Sequence, residues 1–153
     1  MRKLSTIEQI SVVYTSYFAI TLFFANSLFD KEQSNLYQAL LKVIPSQLGW
    51  CVFGLDITFF YIVSMFYKKH GFAMFVNGLN GVFFTLISVT YLFTYPNIGL
   101  AIFALVGFKS FQQVFKISNQ HEQEKTDQYK KEINSKGNIH NYGKEWLNGN
   151  IQK

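Results

Sequence analysis

The sequence predicts an all-α fold: a polytopic integral membrane protein of four transmembrane helices, with a tight hairpin between the third and fourth. Three observations lead there. From Gly71 to Phe108 no side chain carries a charge, and as one straight helix those residues would measure roughly 57 Å, nearly twice the ~30 Å core of a bilayer. The stretch must therefore fold back, and Tyr95-Pro96-Asn97 marks the place, because proline cannot continue a helix and biases the residue before it away from helical geometry. Two further apolar stretches, at 9–29 and 48–67, are each long enough to cross. Finally, the chain is 49% hydrophobic and 18% aromatic with only 15% charged residues. Helices so apolar around their circumference lack the polar outer face that a small soluble bundle needs.

The first span, 9–29, is the most polar, with Ser11, Tyr14, Thr15, Ser16, Tyr17, Thr21, Asn26 and Ser27. It is expected to pack on protein rather than face lipid on all sides. Met1-Arg2-Lys3 ahead of it imitates a signal peptide, but the run has no small-residue cleavage pattern and more spans follow, so it reads as a retained helix. In the segment 35–44, Leu36, Tyr37, Leu40, Leu41 and Ile44 recur on one helical face, with Ser34 or Asn35 to cap its start and Pro45 to end it. A short amphipathic helix of this kind suits the interface plane. The second span, 48–67, contains one charge, Asp56, and closes at Lys68-Lys69-His70. Spans 72–94 and 98–115 form the hairpin, and Trp50 and Tyr95 stand where interfacial aromatics are enriched.

Lysine and arginine set the orientation. With the N-terminus inside, the inner segments carry Arg2, Lys3, Lys68, Lys69 and Lys116, and the outer ones only Lys31 and Lys42. Both termini thus fall on the cytoplasmic-type side. The transmembrane domain covers 1–117. The hydrophilic tail, 118–153, holds six Lys against five Asp or Glu, too balanced for a polybasic lipid clamp. In the tail, Asp127 and Lys131 have i,i+4 spacing and Gly137 is a plausible helix stop. Beyond it Ile139, Tyr142 and Trp146 recur at helical spacing amid Asn and Gly, so the tail reads as partly helical or disordered.

Candidate functional residues lie within the spans. Asp56 is the sharpest, since a mid-span charge normally faces the bundle and has a partner. Lys109 and Asn80 fall at compatible depth, with Asn77 nearby, which makes an Asp56–Lys109–Asn80–Asn77 cluster either helix glue or part of a proton or substrate path. Gly78, Gly81, Thr85 and Ser88 make a stripe at 3-4-3 spacing, and Ala104 and Gly107 offer a matching surface on the fourth span. Small residues at such spacing let helix backbones approach closely. A lone Cys51 excludes an internal disulfide, and there is no zinc-ligand spacing, phosphate loop or activated nucleophile. No metal, cofactor, nucleic-acid partner or enzymatic activity is expected.

The small multidrug exporters are of similar size, but their functional Glu lies inside the first helix and Glu8 stands before it here. Phage holins are similar only in being short and multi-spanning with a charged tail. The residues thus predict a non-catalytic membrane protein that acts through helix packing, as an accessory subunit of a larger complex or by self-assembly. The alternative is a small transporter or pore with Asp56 in its pathway.

Overall fold

A computed structural model of the chain describes residues 2–24, 35–67, 69–93 and 98–149, with side chains in the last helix described up to 135. It contains five helices and, among the described residues, no strand: α1 (Thr6–Phe24), α2 (Asn35–Val43), α3 (Gln47–Phe66), α4 (His70–Leu92) and α5 (Gly99–Gly149). By length and composition α1, α3, α4 and the first part of α5 can each cross a membrane. The turn at Tyr95-Pro96-Asn97 lies outside the described residues, as does the end of the first predicted span beyond Phe24. The chain divides into two compact units, 1–117 and 118–153.

Within the first unit, α1 starts three residues earlier than its charge-free run implies. Ser5 and Glu8 form a reciprocal cap: the Glu8 backbone N–H donates to Ser5 Oγ (3.4 Å), and the Ser5 N–H donates to Glu8 Oε2 (2.8 Å). This is the S-x-x-E capping box, which satisfies two N–H groups that a helix start otherwise leaves open. Glu8 therefore belongs to α1 and is fully buried, which corrects its placement ahead of the helix. Helix α3 begins more simply, with Ser46 Oγ accepting from the Gly49 N–H at 3.2 Å.

The closest seam runs between α1 and α3. A Cβ added at Gly54 would lie 3.2 Å from the Thr15 carbonyl and 3.3 Å from Ala19 Cβ, so only glycine leaves the two backbones this near. Across the same seam Thr15 and Thr58 share a hydroxyl hydrogen bond of 2.9 Å, and the Cys51 thiol donates to the Ala19 carbonyl at 3.3 Å. Each hydroxyl also lies within hydrogen-bond distance of a carbonyl of its own helix, Thr15 of Ser11 and Thr58 of Gly54, so whichever of the two protons crosses the seam, the other has an acceptor.

Aromatic side chains fill the centre. Phe83 of α4 is edge-on to Phe18, Trp50, Phe53 and Phe84, with ring centroids 5.1 to 6.0 Å apart, the arrangement that ring quadrupoles favour. Trp50 is fully buried, and its indole N–H donates to the Leu40 carbonyl at 3.1 Å. It is thus a core residue that ties α2 to α3, rather than the interfacial anchor its position suggested. Ala39 and Leu40 of α2 are likewise buried.

Helix α5 meets α4 at a second glycine contact. A Cβ on Gly107 would lie 3.5 Å from the Gly81 carbonyl oxygen and 3.4 Å from Phe84 Cβ, and one on Gly81 would come within 2.9 Å of the Phe111 ring. The two helices run antiparallel, since Asn80 bonds Ser110 while Tyr91 lies against Phe103.

The second unit is the rest of α5, a solvated helix. Gly137 does not stop it, because helix continues to Gly149. Nor does the Asp127–Lys131 spacing close an ion pair, unlike Arg2 and Glu8 at the start of α1.

Replacing Gly81 with Leu is expected to destabilise the detergent-solubilised protein by about 1–3 kcal/mol through overpacking against Phe111. Gly78→Leu should stay within about 0.5 kcal/mol, because nothing lies within 4 Å of a Cβ there. Thermal melts of the two variants side by side check the contrast.

Candidate functional site

A polar network crosses the interior of the first unit. Its anchor is Glu8, whose Oε1 accepts from the Arg2 guanidinium (2.5 Å) and from Asn77 Nδ2 (2.7 Å), and whose Oε2 is held by the Ser5 N–H. Asn77 sits one helical turn beyond Ala73 and donates to its carbonyl at 2.8 Å as well, while its Oδ1 accepts from the Tyr61 hydroxyl at 3.2 Å. Arg2 in turn reaches α3: its backbone N–H donates to the Met65 carbonyl (2.9 Å), and its guanidinium lies 3.5 Å from Ser64 Oγ. The start of the chain, α1, the end of α3 and the first half of α4 are thereby joined through one carboxylate.

One turn deeper, Asn80 bridges three helices. Its Nδ2 donates to Ser11 Oγ on α1 (2.9 Å) and Ser110 Oγ on α5 (2.7 Å). Its Oδ1 is buried and has no hydrogen-bond partner. Asn77 and Asn80 were expected in a polar cluster, and both lie in this network.

Asp56 and Lys109 do not. Both are exposed, on the outer faces of α3 and α5. The inward stripe of α3 is Trp50, Gly54, Ile57, Tyr61 and Ser64, and at about 100° per residue Asp56 is turned some 160–200° from Gly54. Lys109 is similarly turned from Gly107 and donates instead to Gln112 Oε1 at 3.1 Å on its own helix. Among the described residues Asp56 has neither an ion pair nor a hydrogen bond through its side chain. The rule that a mid-span charge faces its own bundle fails here because Glu8 occupies that role.

The small-residue stripe divides in the same way. Gly81 and Gly107 lie at the α4–α5 contact, where Thr85 bonds the Gly81 carbonyl (2.8 Å) and its hydroxyl would be 3.4 Å from a Cβ on Gly107. Ser88 is buried and bonds the Phe84 carbonyl. Gly78 borders open space, and Ala104 is exposed.

Sequence reasoning missed Arg2, Glu8, Tyr61, Ser64, Ser110 and Gly54. The signal for Glu8 was available in Ser5-Thr6-Ile7-Glu8, a capping box directly before an apolar run.

Towards the other end of the bundle α1, α2, α4 and α5 enclose a cavity of about 240 Å³, lined by aromatic and aliphatic side chains that include Tyr14, Phe18, Leu40, Phe84 and Phe103. Among the described residues its lining also includes Tyr17, Tyr37, Tyr91 and Thr21, and no carboxylate, amine or imidazole.

No protein-family model, curated protein or solved structure matches the chain.

Glu8→Ala is expected to destabilise the protein by about 3 kcal/mol, the lower end for breaking a buried ion pair, since the Arg2 side chain keeps 22% of its surface exposed. Asp56→Asn should leave the melting temperature of the dissociated protomer unchanged, and a larger loss at Asp56 than at Glu8 would reverse the roles given to the two carboxylates.

Proposed function

We propose that this is a non-catalytic, multi-pass integral membrane protein that works through helix packing, assembling with copies of itself or within a larger membrane complex. The observation that carries the reading is the outward position of Asp56. It stands nine residues from Gln47 and ten from Phe66, the ends of α3, about 14–15 Å from either end by helical rise. The exposed face around it is apolar, with Val52, Leu55, Phe59 and Ile62. A charge at such depth costs about 2.5–3.5 kcal/mol on insertion scales, and aspartate is too short to reach the interface as lysine can. Another protein helix set against this face would supply the missing polar contact.

The interior points the same way. The interior polar groups of the network bind one another, Asn80 Oδ1 apart, as expected of a bundle held rigid by its polar groups. The proposed arrangement places both termini on the inner side and joins α4 to α5 by a tight hairpin at Pro96, which their antiparallel contacts favour. The lipid bilayer is its solvent, and no nucleic-acid role is proposed.

A small transporter or pore is the second reading, and outward Asp56 favours it in one form: several copies could share Asp56 along a wall between them. Liposomes reconstituted with the purified chain test the choice. Ion and dye permeability equal to that of empty liposomes is the expected result. Flux that Asp56→Asn abolishes would establish transport instead.

The arrangement in the membrane is checked by labelling single-cysteine variants Lys3→Cys, Gln33→Cys, Lys69→Cys and Asn150→Cys in a Cys51→Ser background. Positions 3, 69 and 150 are expected to react from one side and 33 from the other; reaction of 33 on the same side as 69 would sink the topology.

A further inference from the structure

The geometry points to a contact between copies of this chain in which Asp56 on α3 of one protomer pairs with Lys109 on α5 of the next. The inference rests on the assembly reading above and names the surfaces that meet.

Depth is the first argument. Asp56 lies nine residues into α3 and Lys109 ten residues into α5, about 14 and 15 Å along helices of the same direction. Contacts with α4 give the same answer independently. Tyr61 bonds Asn77 and Gly54 approaches Phe83, which puts Asp56 level with the Gly81–Val82 turn of α4. Asn80 bonds Ser110 and Gly107 abuts Phe84, which puts Lys109 level with that turn too. Two copies upright in one membrane therefore bring the two charges to one height.

The second argument is direction. Apart from the Trp50–Leu40 bond to α2, the interhelical hydrogen bonds and ring contacts of α3 go to α1 and α4, and those of the first part of α5 also go to α1 and α4. Helices α3 and α5 thus form opposite flanks, and each turns its charge away from the shared centre. A carboxylate on one flank and an ammonium on the other cannot meet within a protomer, but they meet between neighbours placed side by side. Such a contact is heterologous, joining two different faces, and it closes into a ring or continues as a row according to the angle between protomers.

The third argument is complementarity of the surrounding surface. Asp56 is set among Val52, Leu55 and Phe59, and Lys109 among Ile102, Leu105 and Phe108, all exposed. An apolar surround excludes water and headgroups from the pair, and only an opposite charge at matching depth neutralises it there. Gln112, which holds the Lys109 ammonium at 3.1 Å, adds an amide that can donate to the incoming carboxylate.

The test is the mass of the full-length protein in lipid nanodiscs and its dependence on charge reversal. Wild type is expected as a multiple of the 17.8 kDa protomer. Asp56→Lys alone and Lys109→Asp alone should each run as protomers, because like charges then face each other across the contact. An equimolar mixture of the two single variants should regain the multimer, since each then supplies the charge the other lacks. If a single variant does not fold, chains carrying Asp56→Cys and chains carrying Lys109→Cys, in a Cys51→Ser background, are mixed and oxidised; a disulfide-linked dimer supports the contact, and its absence overturns it. Multimers that persist unchanged in both single variants would overturn the pairing and leave the assembly reading intact. Wild type running as a protomer in nanodiscs would also overturn it, and native electrophoresis of wild type from its own membrane then separates the cases: migration in a larger complex keeps the assembly reading, and migration as a protomer removes both.

Discussion

A carboxylate taken into an apolar bundle has to be met from several directions at once, and Glu8 is met from three. Arg2 brings the opposite charge, Asn77 an amide from α4, and Ser5 a backbone N–H from the helix's own start. Because Glu8 is fully buried, its partners have to come from protein, since an unpaired buried charge is costly. The position of α4 follows from that requirement: Asn77 turns it toward α1 and α3, and three residues on Asn80 turns it toward α1 and α5. The glycine contacts at Gly54 and at Gly81 with Gly107 then let the apolar faces close around those bonds. Interhelical hydrogen bonds in membranes contribute roughly 0.6 kcal/mol each on average, so their effect here is to specify which faces meet, while packing supplies most of the stability.

The four helices long and apolar enough to cross a membrane were legible in the sequence because they depend on length and charge alone. Which face each helix turns inward was less so. Asp56 looked like the interior charge because it interrupts a span, and Glu8 looked like a boundary residue because the charge-free run starts after it. Both inferences weighed a charge by its position along the chain. What decided the matter was angular position: Asp56 falls outside the stripe Trp50, Gly54, Ile57, Tyr61 and Ser64, and Glu8 falls on the same face of α1 as Ser11, Thr15 and Ala19.

Pairs of helices were harder still to read. Gly81 and Gly107 were found through spacing within one segment of sequence, where antiparallel neighbours are easily matched. Gly54 belongs to a seam whose other half, Thr15 and Ala19, lies some forty residues earlier, and no local pattern links them. Trp50 shows the same limit. A tryptophan near the end of a span suits the membrane interface, and only the Leu40 carbonyl brought over it by α2 makes it part of the core. Gly137 is the reverse case, a helix breaker by propensity that costs only about 1 kcal/mol in a helix interior, which leaves α5 uninterrupted.

The Arg2–Glu8–Asn77 bonds also bear on how the protein is made. Arg2 and Glu8 are six residues apart, whereas Glu8 and Asn77 are separated by 69. Synthesis proceeds from the N-terminus, so α1 is made before α4. Of the partners that Glu8 has in the fold, Arg2 and Ser5 are made with it, and Asn77 follows with α4. Arg2 and Ser5 are in this way local partners that need no other helix to reach Glu8, and Asn77 adds to them without replacing either.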